Sequence, residues 1–239
     1  MQWEDNGIVL KYRNYSEKLL IASIFTEDHG RVDGMISRTK SSMPQPGDLV
    51  SIHCKARLEQ HMGTLKLETK KSNSSLLFLE STRVYALKSM YEMLSTLLPE
   101  HHPYEKLWQK TNETIQIFYD STKAIKNYCF FEMTFIEELG FGLSLDSCAV
   151  TGSNENLSHV SPKTGRAVCY EAAKPYITKL LPLPQFLHQE SKETENFSEY
   201  ALALQLTGHF LLHHIAHNRN LPLERNELIT KIKSQINRT

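Results

Sequence analysis

The chain has 239 residues, 27 Lys and Arg against 27 Asp and Glu, 40% hydrophobic and 23% charged residues, a globular composition of one large or two small domains that excludes disorder throughout. Its longest apolar runs, at 128–131 and 180–187, are too short or too broken to cross a membrane. The start, Met1-Gln2-Trp3-Glu4-Asp5-Asn6, has neither the basic nor the apolar region of a secretory signal, so a soluble cytoplasmic protein with no membrane contact is expected.

The first eighty residues read as short strands between turn signals. Stretches 7–12 and 19–25, rich in β-branched and aromatic residues, flank a polar turn at 14–17 and predict a hairpin. A third strand, 30–37, follows the Thr26-Glu27-Asp28-His29 corner, and Pro44-Gln45-Pro46-Gly47-Asp48 opens a fourth, 49–58. There Val50, Ile52, Cys54, Ala56 and Leu58 alternate with Ser51, His53, Lys55, Arg57 and Glu59, as on a strand with one wet face. His61-Met62-Gly63 turns the chain into a fifth strand, 64–69. Five short strands in so little chain predict a small Greek-key barrel of the OB type over 1–80. From Val84 to Leu98 the period becomes helical, with Ser81 or Thr82 as the expected N-cap and Pro99 as the stop. Helical patterns recur at 103–119, 121–139, 197–218 and after Pro222, where Leu223, Leu228, Ile229 and Ile232 are expected to face a bundle. Between them, 142–184 is rich in turns. The expected whole is α+β: a barrel domain at 1–80, then a mainly helical domain at 81–239 with a turn-rich insert.

Zero net charge argues against binding to nucleic acid through bulk charge, but the charge is uneven. Segment 31–71 holds eight bases against four acids, and 81–140 six bases against eight acids. Arg31, Arg38, Lys40, Lys55, Arg57 and Lys66, with Tyr12, Tyr15 and Phe25 nearby, have the residue types by which OB barrels track phosphates and stack bases; solvated sheet edges explain the same charges. His209, His213 and His217, at i, i+4 and i+8, could ligate a metal, though no carboxylate shares their stripe. Ser161-Pro162-Lys163-Thr164-Gly165-Arg166 lacks the glycines of a phosphate loop and reads as a turn between strands. Cys54, Cys129, Cys148 and Cys169 form no C-x-x-C pair; Thr151 and Ala172 stand where partners of Cys148 and Cys169 would fall. No catalytic triad, paired carboxylates or dinucleotide fingerprint emerges, so a non-enzyme without cofactor is expected, with a metal-dependent hydrolase or nuclease on the histidine helix as the alternative.

Trp3-Glu4-Asp5-Asn6-Gly7-Ile8-Val9-Leu10, Phe25-Thr26-Glu27-Asp28-His29-Gly30-Arg31, Gln45-Pro46-Gly47-Asp48-Leu49-Val50, Leu139-Gly140-Phe141-Gly142-Leu143, Cys148-Ala149-Val150-Thr151-Gly152, Val160-Ser161-Pro162-Lys163-Thr164-Gly165-Arg166-Ala167 and Leu181-Pro182-Leu183-Pro184, in this order and spacing, resemble the RecO family of bacterial recombination mediators. The resemblance implies an OB domain, then a helical domain with a zinc-finger-like insert. It further implies binding to single- and double-stranded DNA, strand annealing, contacts with RecR and the single-strand binding protein SSB, and indirectly RecA loading, in the cytoplasm and at the nucleoid during repair. Some members hold zinc with four cysteines; Thr151 at a ligand position argues against it here. By resemblance Arg38 and Lys40 sit in a basic loop after the third strand, and Arg31 matches the H-G-R corner.

Overall fold

The alternation of the first seventy residues is realised as strands β1 (Gln2–Asn14), β2 (Leu19–Thr26), β3 (Gly30–Ser37), β4 (Leu49–Lys55) and β5 (Gly63–Lys71). They close into a barrel in the order β1-β2-β3-β5-β4, antiparallel except for the β3–β5 pair, which is the expected OB topology. The computed structural model describes residues 1–38, 43–56, 62–188 and 196–237, which fall into two units, Met1–Ile115 and Gln116–Thr239.

Inward side chains fill the barrel: Val9, Leu20, Ala22, Ile24, Val32, Ile36, Val50, Ile52, Cys54 and Leu65. Strand β1 starts five residues earlier than the apolar pattern suggests, because its polar first residues pair with β4, from Gln2 opposite Lys55 to Ile8 opposite Leu49. Strand β2 is buried on both faces, since its outward Ile21, Ser23 and Phe25 lie under helices. Helix α1 (Ser81–Thr96) packs on β1 and β2, tied by Lys11 to Glu92 at 2.8 Å, and Phe25 meets Trp108 of helix α2 (Glu105–Ile117) edge to face at 5.6 Å. The α1 cap is Glu80 rather than Ser81 or Thr82; its carboxylate accepts from the Thr82 and Arg83 amides at 2.8 and 3.1 Å. Gly30 opens β3 at φ 69°, and a Cβ there would sit 1.8 Å from the His102 carbonyl oxygen, so this corner admits only glycine.

In the second unit, helix α3 (Ser121–Ile136), capped by Asp120, packs against helix α5 (Phe197–Phe210), and helix α6 (Leu223–Ile236) lies along α5. Helix α5 runs on for five residues as a π-helix, Leu211–Ile215. Its core includes Tyr128, Phe131, Phe135, Leu204, Leu206 and Leu228. At its centre Arg225 donates from Nε and Nη2 to the two Glu132 carboxylate oxygens at 2.8 and 2.9 Å, and from Nη2 to the Leu204 carbonyl at 2.7 Å. Tyr128 and Thr207 hydroxyls also donate to Glu132. Leu223, expected to face the bundle, is 69% exposed, and Arg225 takes the inward place. The turn-rich insert holds a small antiparallel sheet in the order β7-β6-β8: β6 (Leu157–Val160), β7 (Ala167–Cys169) and β8 (Leu181–Pro182). Between β7 and β8 lie the one-turn helix α4 (Tyr170–Ala173) and a 3-10 stretch, Lys174–Lys179.

Candidate nucleic-acid interface

Strand register sorts the expected contact residues to opposite ends of the barrel. Asn14 pairs with Leu20, and Leu19 with Ser37, so the β1–β2 turn and Arg38 share one end; Gln2 pairs with Lys55, which puts Lys55 at the other. Lys40 and Arg57 lie outside the described residues.

At the first end the Tyr15 and Ser16 amides donate to the Leu19 carbonyl at 3.2 and 3.0 Å, and the Arg38 amide donates to the Lys18 carbonyl at 2.8 Å. The turn and the residue after β3 are thus stitched together. The Arg38 guanidinium donates to Asn14 Oδ1, and Arg13 reaches Asp33 at 3.2 Å with its side chain 59% exposed. Tyr15 stands beside them, 62% exposed. Lys18 and Arg38 are exposed at this tip with Tyr15, and Glu17 is the acid in the turn. Of the three aromatics suspected from sequence, only Tyr15 is available for stacking. Tyr12 donates to the Pro44 carbonyl at 2.9 Å, and burial followed by the Asp48 charge pushes its phenol well above the ordinary range; Phe25 lies under the helices. Lys18 is not legible as a neighbour of Arg38 in the sequence, because the hairpin has to close before its carbonyl meets the Arg38 amide.

Lys55 and Lys66 point outward from β4 and β5, with His53 opposite Lys66. That wall is of mixed charge. A groove of about 590 Å³ along it is lined by Glu4, Asp5, Asp28 and Glu68 as well as His53, Lys66 and Lys70. Lys66 donates to Glu68 at 2.8 Å; this hydrogen bond raises the ammonium pKa and lowers that of the carboxyl. Arg31 is 13% exposed and engaged within the fold, by the Leu98 carbonyl and Glu100 at 2.8 Å each and by Asp33 at 3.2 Å.

In the insert, Cys148 and Cys169 lie together. The Cys169 and Val150 amides donate to Cys148 Sγ at 3.2 and 3.4 Å, and Thr151 Oγ1 is 3.8 Å from Cys169 Sγ. Burial pushes the Cys148 thiol up, but hydrogen bonds from Thr151, Cys169 and Val150 outweigh it and hold the thiol at about 6. Two sulfurs, a hydroxyl and the methyl of Ala172 do not make the closed four-ligand site that structural zinc requires. His209 and His213 have ring centroids 4.5 Å apart, and His213 Nδ1 is 2.7 Å from Asn218 Oδ1. Among the described residues no three His, Cys, Asp or Glu side chains converge on a metal position. No helix of the described residues is long and apolar enough to cross a membrane.

A closed OB barrel with an exposed tyrosine in its first turn, followed by a helical unit with a small inserted sheet, defines a class of two-part α+β proteins built on an oligonucleotide-binding barrel. Residues 1–73 match the family model of the recombination protein O N terminal region, and residues 80–221 that of its C terminal region. The DNA repair protein RecO of Bartonella quintana is 39% identical over 225 residues, covering 92% of each chain. Those of Bartonella henselae and Rhizobium rhizogenes are 40% and 37% identical, covering 92% and 93% of this chain and 88% and 87% of theirs. The chain belongs to the RecO family, and its role lies in DNA repair and recombination.

Proposed function

We propose that this protein is a DNA-binding recombination mediator. It binds single- and double-stranded DNA, anneals complementary strands and, with RecR, helps RecA displace SSB from single strands. The observation that carries the reading is the barrel tip, where the exposed ring of Tyr15 lies in the β1–β2 turn to which Arg38 is bonded through the Lys18 carbonyl and Asn14. Cations there neutralise phosphates without reading sequence, and the ring offers a face on which any base can stack. Lys55 and Lys66, at the other end and on the mixed-charge wall, stand apart from this tip, and Arg31 is engaged within the fold by the Leu98 carbonyl and Glu100.

Titration with single-stranded DNA, bare and SSB-coated, with and without RecR, tests the reading. Log affinity should fall linearly with log salt, because each neutralised phosphate releases counterions. Replacing Arg13 and Arg38 together by Ala removes two such contacts, which reduces the slope by about 1.4 for a single strand. Both side chains are at the surface, so stability should change by about 0.5 kcal/mol or less for each. Affinity that is flat across salt in the parent, or a variant that binds and anneals like the parent, refutes the assignment.

A further inference from the structure

We propose that the insert of the second unit carries a separate surface for single-stranded nucleic acid, formed by Tyr170, Tyr176, Ile177, Lys174 and Lys179. The insert, 142–184, holds Lys163, Arg166, Lys174 and Lys179 against Asp146, Glu155 and Glu171, and all four bases follow Leu157. Tyr170 is 48% exposed and Tyr176 59% exposed, and none of the residues of the 3-10 stretch Lys174–Lys179 is buried. Half-exposed rings interspersed with lysines have the composition of a base-stacking platform.

The platform is held rigidly. The Tyr170 amide donates to the Asn156 carbonyl at 2.9 Å, Ala173 is fully buried beneath it, and Pro175 fixes the first turn of the 3-10 stretch. Lys174 bonds Glu171 at 2.8 Å and sits 5.2 Å from the centre of the Tyr170 ring. Lys174 and Glu171 therefore neutralise one another over one face of Tyr170, and Lys179 supplies the charge at the end of the stretch that carries Tyr176 and Ile177. Exposed tyrosines spaced by Lys174 and Lys179 favour a polyanion with planar bases over an apolar protein partner.

The inference rests on the reading of this chain as DNA-binding but uses residues of the other unit. Two surfaces on one molecule let it hold two strands at once, which is what annealing needs. The test uses the full chain, fluorescein-labelled oligo(dT) and a pair of complementary oligonucleotides. Tyr170→Ala with Tyr176→Ala should weaken oligo(dT) binding by about fivefold or more and slow annealing further, while R13A/R38A retains residual binding through the insert. Lys174→Gln with Lys179→Gln should reduce the salt slope by about 1.4, and decides the matter if the tyrosine variant does not fold. If the parent binds no DNA, the functional reading fails and this inference with it. If the parent binds and both insert variants match it in affinity, slope and annealing, the inference alone is overturned. The same holds if the insert variants lose only binding to an acidic peptide, which would make the surface a protein dock.

Discussion

Arg225 and Glu132 are the most consequential single residues of the second unit. Each is nearly or wholly inaccessible, and the guanidinium and carboxylate satisfy one another with help from Tyr128, Thr207 and the Leu204 carbonyl. Removing one partner leaves a buried charge without its counterion, so Arg225→Met alone should cost about 3–5 kcal/mol in urea unfolding. Glu132→Leu added to it should restore much of that loss; a double variant no more stable than the single would refute this account. The pair could not be read from the sequence, because α6 carries charges at regular helical spacing and nothing in its own pattern distinguishes Arg225 from Lys231. Histidines add a pH dependence. Burial lowers the pKa of His159 and His188, and that of His209 too, where His213 and His214 reinforce it against a hydrogen bond to Pro162. In the folded chain these rings bind protons less readily than the ordinary value of 6.5 implies, so the unfolded state takes up more protons below that value. Stability should be full above pH 6.5 and fall as pH drops below it, and His→Asn at these three positions should flatten that slope in urea midpoints measured from pH 5 to 8.

At the scale of elements, the cysteine turn of the insert is held by N–H···S bonds. Tetrahedral zinc with Zn–S of about 2.3 Å separates its sulfurs by about 3.8 Å. Thr151 Oγ1 lies 3.8 Å from Cys169 Sγ, and Ala172 follows Cys169 by three residues on α4. Thr151→Cys with Ala172→Cys should therefore bind one zinc per chain after gel filtration, measured by atomic emission. The parent, passed through the same column, should keep its melting temperature on EDTA treatment; a double variant that takes up no zinc would show that the four positions do not converge. The missing ligands were legible in the spacing, whereas the bonds that replace them were not, because they come from backbone amides. The same contrast holds in the barrel. Strand β4 announced itself by alternation because one of its faces is wet, while β2, covered on both sides, offered only its β-branched content. The Glu80 cap was missed because a glutamate can reach the amides that a serine or threonine at the next position was expected to hold. Its replacement by Ala should cost about 1 kcal/mol of stability in thermal unfolding.

For the molecule as a whole, the chain's neutrality conceals an uneven distribution, with eight bases against four acids over 31–71, and only folding reveals which of those cations are engaged within the fold. One further consequence comes from the covered outer face of β2. Ile8, Leu10, Ile21 and Phe25 are sealed by α1 and α2, and Arg31 grips the Leu98 carbonyl beyond α1. Strand boundaries alone would suggest cutting the gene after residue 80 to obtain the barrel by itself. Such a fragment would display an aliphatic and aromatic face to water and should be recovered in inclusion bodies, whereas one ending at residue 115 should stay in the supernatant and be monodisperse by light scattering. In deuterium exchange of the intact chain, β2 amides should be among the last of the first unit to label, opening only when the barrel and its covering helices come apart together.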